Sequence, residues 1–233
     1  MKVPKVLGLD LLLKSYLFIP KILFRNVVRR WGDRVQGKTL DVGAGLKPFR
    51  DYFQSAEYIT LDSDPALKPD VVGDVVALPF PDGTFDSVVC LEVLEHVDKT
   101  QRAISELTRV LKPGGTFLVS MPMHWPLHYE PNDFWRITKY GFRVLLSPHY
   151  HIEQEEKIGG LFSFLGARIA ESAALFLYRL LPFLPKRMRY ALGHIANIPL
   201  SLVFFLLSLV LDPLFPEDAI SWLVVAKKKI IGG

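Results

Sequence analysis

The stretch Leu40–Pro48, LDVGAGLKP, decides how this chain folds. Leu40 and Val42 are apolar, as in a buried strand, and the strand runs directly into Gly43-Ala44-Gly45. Such a turn has to be tight, and where backbone approaches a ligand closely a Cβ atom has no room. Taken alone, a Gly-x-Gly after a strand serves a nicotinamide dinucleotide site or a plain turn equally well. The third glycine of the dinucleotide pattern is missing, with Lys47-Pro48 in its place. The helix that follows is therefore not built to hold a pyrophosphate at its N-terminus.

Outward from this turn the pattern alternates between strand and helix. YITLDSD is a second strand, DVVGD a short third and FDSVVCLEVL a fourth, nearly all apolar as parallel strands are. TQRAISELTRVLKPGG is an amphipathic helix closed by Pro-Gly-Gly, followed by strands in TFLVSMP, HIEQEEKIGG and AISWLVVAKKK. Strands separated by helices specify a parallel α/β sheet with right-handed crossovers. Two acids stand where they matter. Asp62 ends the second strand, roughly 20 residues beyond the turn, where a ribose diol would meet a carboxylate. Asp74 follows the third strand, suited to the exocyclic amine of an adenine.

Residues 1–34 form an N-terminal segment with apolar residues at helical spacing, which Pro4 and Pro20 divide into short amphipathic helices. Residues 35–233 read as one domain, with an apolar helical insertion over 161–217 between the sixth and seventh strands. A crossover needs far fewer residues than that.

LDVGAGLKPFR, LDSD, VVGDVVALPFPDGTFDSVVCLEVLEHV and RVLKPGGTFLVSMP, in that order and spacing, resemble the successive motifs of class I S-adenosylmethionine-dependent methyltransferases, type 11 branch. The resemblance is close from Thr39 to Pro122 and looser to Gly160. It implies a Rossmann-like seven-stranded sheet and S-adenosylmethionine as cofactor. By it, Asp41, Gly43 and Gly45 line the methionine part, Asp62 takes the ribose hydroxyls, and Asp74 with the Val75 backbone takes the adenine. Glu92 faces the methionine and sulfonium end. Read from the residues alone, Asp41 could equally satisfy amides of the turn. Glu92 and His96, four apart, are expected on one helical face, His96 as structure and no metal beside them.

HWPLHYEPNDFWRIT, after the fifth strand, concentrates His124, His128, Tyr129, Glu130, Asp133, Trp135 and Arg136. Ligands of an open α/β sheet bind beyond the carboxyl ends of its strands, so this loop belongs to the methyl acceptor. It resembles an H-E-P-x-D-F-x-R-x-T segment of some type 11 methyltransferases, with Tyr129 as an extra residue. His128 is the expected general base, since its unperturbed pKa lies near neutrality, with Glu130 or Asp133 orienting or replacing it. His124, Tyr129, Trp135 and Arg136 are the expected substrate contacts. The alternative is that Asp133 pairs with Arg136 and merely knits the loop.

The insertion contains NIPLSLVFFLLSLVL, Asn197–Leu211. A spanning helix needs about 20 apolar residues, and here Pro199 is expected to break the run short. Lys186, Arg187 and Arg189 would also have to be carried across. The expectation is a helical hairpin in the interface of one leaflet, with its basic turn at the headgroups. Hydrophobic residues make up 50% of the 233 and the net charge is +4. That is too mild for a nucleic-acid binder, whose basic stripe is denser and interleaved with aromatics. The lone Cys90 suits a reducing compartment, and no secretory signal is expected. The sequence thus points to methyl transfer onto a lipid or lipid-linked acceptor by a cytoplasmic enzyme peripheral on the inner membrane face. A soluble small-molecule acceptor with the insertion as homodimer interface, and a non-catalytic cofactor-binding scaffold, stay open.

Overall fold

The computed structural model describes residues 18–46 and 49–230. Most of the expected N-terminal segment, and Lys47-Pro48, lie outside the described residues. Within them, Pro20 does not divide a helix. Helix α1 runs Phe18–Trp31, with Pro20 in its first turn, where the missing N–H had no partner to lose.

Seven strands form one sheet in the order β3-β2-β1-β4-β5-β7-β6. They are β1 Gln36–Val42, β2 Gln54–Asp62, β3 Val71–Val72, β4 Phe85–Leu91, β5 Leu111–Pro122, β6 Tyr150–Ile158 and β7 Ser221–Lys228. Strand β1 pairs in parallel with β2 and β4, and β4 with β5. The all-parallel expectation fails at β7, which runs antiparallel to β5 with Ser221 opposite Pro122 and Lys227 opposite Thr116. The chain re-enters the sheet at the carboxyl end of β5, so the last strand has to run back.

Val88, Val89 and Cys90 of β4, Phe117 to Val119 of β5 and Leu223 to Ala226 of β7 are all buried, as in strands covered on both faces. Helix α2, Thr100–Val110, contributes Ala103, Ile104, Leu107 and Val110 at helical spacing. Pro113-Gly114-Gly115 does not close that helix as expected. It belongs to β5 as an irregularity between the Phe85–Leu111 and Ser87–Thr116 pairs. A Cβ on Gly115 would meet the Asp86 carbonyl oxygen at 2.9 Å, so only glycine lets the strands close there. Helix α3, Lys139–Leu146, is capped by the Thr138 side chain, which accepts from the Gly141 N–H.

The described chain divides into two compact units, residues 25–157 with 221–230, and residues 18–24 with 158–220. The second is dominated by α4, Leu161–Leu180, and α5, Lys186–Leu211. Helix α5 passes through Pro199 unbroken, contrary to the break expected from the sequence. The two helices are therefore about 30 and 39 Å long at 1.5 Å per residue. They pack antiparallel through small residues: a Cβ on Gly166 would fall 2.4 Å from Phe204 Cβ, and one on Gly193 2.9 Å from the Ala174 carbonyl oxygen.

What they bury is small or polar, and what they expose is large and apolar. Ser163, Gly166, Ala167 and Ala170 are buried on α4, and Asn197, Ser201 and Ser208 on α5. Ser201 donates to Asn197 Oδ1 at 3.0 Å. Phe176, Leu206 and Val210 are 65%, 55% and 69% exposed.

Asp212, just past α5, closes the hairpin at its base. Its carboxylate accepts from the Phe162 N–H at 2.7 Å and from the Ser163 hydroxyl, capping the start of α4 from the far end of the pair. Asp212→Ala leaves these donors unsatisfied in a buried place, and we expect a loss of about 2–3 kcal/mol in this unit. Limited proteolysis of the full chain should then cut within 161–211 much faster than in the parent. Asp212→Asn, which keeps one acceptor oxygen, should fall between. Unchanged cleavage in Asp212→Ala would remove the capping role.

Candidate active site

The strand order reverses between β1 and β4, and the crevice beyond the carboxyl ends of these two strands is where an open α/β sheet takes its ligand. Gly43 leaves β1 with φ +66° and donates to the Leu61 carbonyl oxygen at 2.8 Å. A Cβ there would fall 2.3 Å from Val93 Cγ2, so the turn after β1 rests on the turn after β4. Gly45, at φ +52°, has nothing among the described residues within 4 Å of its Cβ position. The space beside it is open to a ligand, and its own N–H donates to Asp62 Oδ2 at 3.1 Å. Asp62 Oδ1 accepts from the Asp64 N–H at 3.0 Å. Two backbone amides thus aim the carboxylate expected to hold the ribose.

Asp41 is buried and accepts a hydrogen bond from the Tyr58 hydroxyl. Burial and the neighbouring Asp41 carboxylate push the Tyr58 phenol far above its ordinary pKa. Asp74 is exposed and accepts from the Val76 N–H at 3.0 Å, while Val75 is buried. The segment behind them is held by Arg109, which donates to the carbonyl oxygens of Phe80 at 2.7 Å and Leu78 at 3.0 Å. Glu106 completes the clasp, accepting from the Leu78 N–H at 2.9 Å.

Glu92 does not begin a helix. Its φ is +54°, and only a short 3-10 turn, Leu94–His96, follows. The shared helical face expected for Glu92 and His96 is therefore absent. Glu92 instead accepts from the Ser120 hydroxyl at 2.8 Å and the Ser221 hydroxyl at 3.1 Å, and burial pushes its carboxyl up. Three residues on, Glu95 is fully buried, and neither carboxyl oxygen has a hydrogen-bond partner among the described residues. Burial, then the neighbouring Glu92, push its carboxyl further up.

The loop after β5 is stitched onto this turn. The Glu95 carbonyl oxygen accepts from the Phe134 N–H at 2.8 Å, and His96 Nδ1 lies 2.6 Å from the Asn132 carbonyl oxygen. Trp135 donates its indole N–H to the Val97 carbonyl oxygen at 2.9 Å, and is half exposed rather than core. Burial lowers the pKa of His96.

Asp133 and Arg136 hold this loop together. The guanidinium reaches both Asp133 oxygens, at 2.7 and 2.8 Å. Its other N–H groups go to the carbonyl oxygens of Trp125, Trp135 and Pro126. All five donors of Arg136 are spent inside the loop, which leaves none for the substrate contact expected of it. Arg136 holds the Asp133 carboxyl well below the usual carboxylate range. The Asp133 side chain is 1% exposed, so it orients and does not reach a substrate proton.

What Asp133 orients is His128, whose N–H it accepts at 2.9 Å and whose Nδ1 lies 3.3 Å away. The His128 and His96 rings meet edge to face at 4.7 Å, and the exposed Tyr129 ring lies 5.2 Å from His96. His124 is half-buried and Glu130 exposed. The structure thus gathers Glu92, Glu95, His96 and His128, and gives Glu130 no place in that group. Glu95 is the residue the sequence reading missed; its signal was the repeat of glutamate three residues after Glu92.

A cavity of about 960 Å³ also opens between α2 and α3, walled by Ile104, Met121, Trp135, Ile137 and Val144. No residue of the glycine turn, and neither Asp62 nor Asp74, lines it. It lies apart from the residues expected to hold the cofactor.

The family model of the type 11 methyltransferase domain matches residues 40–119. The chain is 31% identical over 125 residues to a demethylmenaquinone methyltransferase of Renibacterium salmoninarum, covering 44% of this chain and 52% of that protein. It is 39% identical over 75 residues to a ubiquinone/menaquinone biosynthesis C-methyltransferase, UbiE, of Cereibacter sphaeroides, covering 32% of this chain and 29% of that one. The chain thus spans about half, or less, of the length of these relatives.

Among solved structures, the Haloferax volcanii putative methyltransferase in complex with the Trm112 activator superposes with a TM-score of 0.58 at 17% identity. That match covers 96% of this chain and 97% of the other. The Haemonchus contortus phosphoethanolamine N-methyltransferase 2, solved with S-adenosyl-L-methionine, gives 0.57 at 15% identity, covering 94% and 57%. These two likenesses speak for the fold alone. The matched domain and the curated relatives support a class I S-adenosylmethionine-dependent methyltransferase of the type 11 family, the match lying in residues 40–119.

Proposed function

We propose that this protein transfers a methyl group from S-adenosylmethionine to a lipid or lipid-linked acceptor at the inner face of a membrane. The observation that carries the acceptor class is the hairpin of α4 and α5. Its best 18-residue windows have mean hydropathies of 1.3 and 2.1, yet only 22% and 18% of them are buried. A core helix of a soluble protein would be mostly covered. Small and polar residues inside, with large apolar ones outside, is how helices pack in lipid, where burial of leucine brings no gain. Several relatives are named for lipophilic acceptors, among them demethylmenaquinone, ubiquinone/menaquinone biosynthesis and sterol methyltransferases.

The hairpin is read as lying in one leaflet. Arg168 pairs with Glu171 within α4, and Lys186 and Arg187 stand at the turn, positions that favour headgroups over passage through hydrocarbon.

S-adenosylmethionine, when bound, supplies a methyl group made electrophilic by its sulfonium. The chain's own residues then hold and align. Asp62 takes the ribose hydroxyls, Asp74 and the Val75 backbone the adenine, and the open flank of Gly45 admits the methionine part. Glu92, fixed by Ser120 and Ser221, presents a carboxylate to the positive end. The clasped loop, with His128 and Tyr129, covers the acceptor side. Most of the acceleration comes from alignment for in-line displacement, since pre-paid orientation is worth several kcal/mol.

The test is transfer of labelled methyl into total cell extract, followed by butanol–water partition. Label should enter the organic phase. Asp62→Ala should abolish it and weaken cofactor binding by calorimetry at least 100-fold, as two charge-assisted hydrogen bonds are worth about 1.5–3 kcal/mol each. Label confined to the aqueous phase would overturn the lipid acceptor. The hairpin's exposed face would then be covered by a second copy of the chain.

A further inference from the structure

We propose that Glu95, His96 and His128 form a divalent-cation site on the acceptor side of the crevice. One ligand atom from each residue lies within 4.8 Å of the other two. They come from two places in the chain: Glu95 and His96 from the turn after β4, and His128 from the loop after β5. None is in the glycine turn that takes the cofactor.

His96 Nδ1 lies 2.6 Å from the Asn132 carbonyl oxygen. A carbonyl can only accept, so the ring proton sits on Nδ1 and the Nε2 lone pair is left over. His128 Nδ1 lies between the Pro126 carbonyl oxygen at 3.2 Å and Asp133 Oδ2 at 3.3 Å, two more acceptors. Its Nε2 is likewise a lone pair. This is how metal-bound histidines are held, with the remote ring nitrogen donating to a carbonyl or a carboxylate.

Glu95 supplies the third group. Its side chain is 0% exposed, and neither oxygen has a hydrogen-bond donor among the described residues. Its Oε1 stands 3.8 Å from His96 Nε2, too far for a shared proton. Two imidazoles and a buried carboxyl group that no donor reaches among the described residues thus stand close together, and a divalent cation would displace the carboxyl proton and answer the charge left behind. The Glu95–His96 separation of 3.8 Å is near that of two ligands on one tetrahedral zinc, about 3.3 Å from bond lengths near 2.0–2.1 Å, and the three ligand atoms, within 4.8 Å of one another, would draw in on a bound ion. Two histidines and one carboxylate are a zinc donor set that keeps a position open. That position suits an oxygen of the acceptor, a role that rests on the methyl-transfer reading, while the metal site itself does not.

With His128 Nε2 bound to the cation, His128 is a ligand and not the general base expected from the sequence. Asp133 then acts through it as a positioning residue.

The experiment uses the full chain, stripped with chelator and titrated with Co²⁺ as a visible probe, then with Zn²⁺ in competition. The expected result is one equivalent of Co²⁺ with visible absorption of four- or five-coordinate cobalt, displaced by Zn²⁺. His128→Ala and Glu95→Gln should each weaken binding at least 100-fold. His128 is part exposed, so its replacement is not expected to unfold the sheet, and unchanged S-adenosylmethionine affinity of His128→Ala is the check. No saturable binding, or the same affinity in folded His128→Ala, overturns the site. Neither readout needs turnover, so an absent methyl transfer with intact cobalt binding would sink the proposed reaction and leave the metal site standing.

Discussion

Gly43→Ala is expected to destabilise the sheet unit by about 3 kcal/mol and to abolish cofactor binding, the combined outcome of two separate penalties. The first is backbone. Gly43 sits at φ +66°, where an L side chain costs roughly 1–2 kcal/mol. The second is space. The new methyl would fall 2.3 Å from Val93 Cγ2 and 3.1 Å from Cγ1, and overpacking of this kind costs about 1–3 kcal/mol. Relief would pull the turn off the Leu61 carbonyl that now accepts its N–H at 2.8 Å, moving Gly45 and the Asp62 carboxylate with it.

The two penalties are separable. Val93→Ala in the Gly43→Ala background should restore the steric part and leave the backbone part, a non-additivity of about 1–2 kcal/mol by urea denaturation. Gly45→Ala has the same backbone problem at φ +52° but no atom of the described residues within 4 Å of the added methyl. It should lose only about 1–2 kcal/mol of stability, while cofactor affinity by calorimetry falls far more than that strain explains, because the methyl enters the ligand's space. Equal effects of the two alanines on stability would mean that the turn does not rest on Val93 as described.

The triple change Phe176→Glu, Leu206→Glu and Val210→Glu should reduce sedimentation with anionic phospholipid vesicles at least 100-fold. These side chains are 65%, 55% and 69% exposed in the protein alone, so replacing them removes little packing and the fold should persist. Each one buried in lipid contributes about 1.5–3 kcal/mol, and a carboxylate in its place adds a desolvation cost. Vesicle binding of the parent should also weaken with salt, since Lys186 and Arg187 near anionic headgroups are worth about 1 kcal/mol each. If the triple variant bound vesicles like the parent, the hairpin would not be the lipid contact. If the parent ignored vesicles and was a dimer that the variant split, the apolar face would belong to a second copy of the chain.

The glycine turn, the acids Asp62 and Asp74 and the βα alternation were legible in the sequence because each is local. A tight turn, a strand-end carboxylate and an apolar run of strand length declare themselves within a few residues. The loop Trp125–Arg136 was legible as a concentration of polar groups but not in its roles. Asp133, Arg136 and His128 could each have been catalyst, ligand or clasp. Five donors of one guanidinium, closing on the loop's own carbonyls and carboxylate, made Arg136 the clasp. No spacing rule encodes that choice.

Sequence by itself therefore determined the fold class and pointed to S-adenosylmethionine as cofactor, since these depend on short-range backbone demands that particular residues meet. Tertiary structure decided the rest. It turned β7 antiparallel, because the insertion returns the chain at the carboxyl end of β5. It carried α5 through Pro199, which reads in sequence as a break, beside the antiparallel partner α4. It set the polar residues of the hairpin inward and the apolar ones outward, a difference of facing that composition cannot express. And it brought Glu95 and His96 to His128, some 30 residues away, in a place where two imidazoles stand close to a buried carboxyl group that no donor reaches among the described residues. Only the packing of two loops on one another creates that juxtaposition, because burial and the loss of donors are properties of the assembled surroundings and not of any residue.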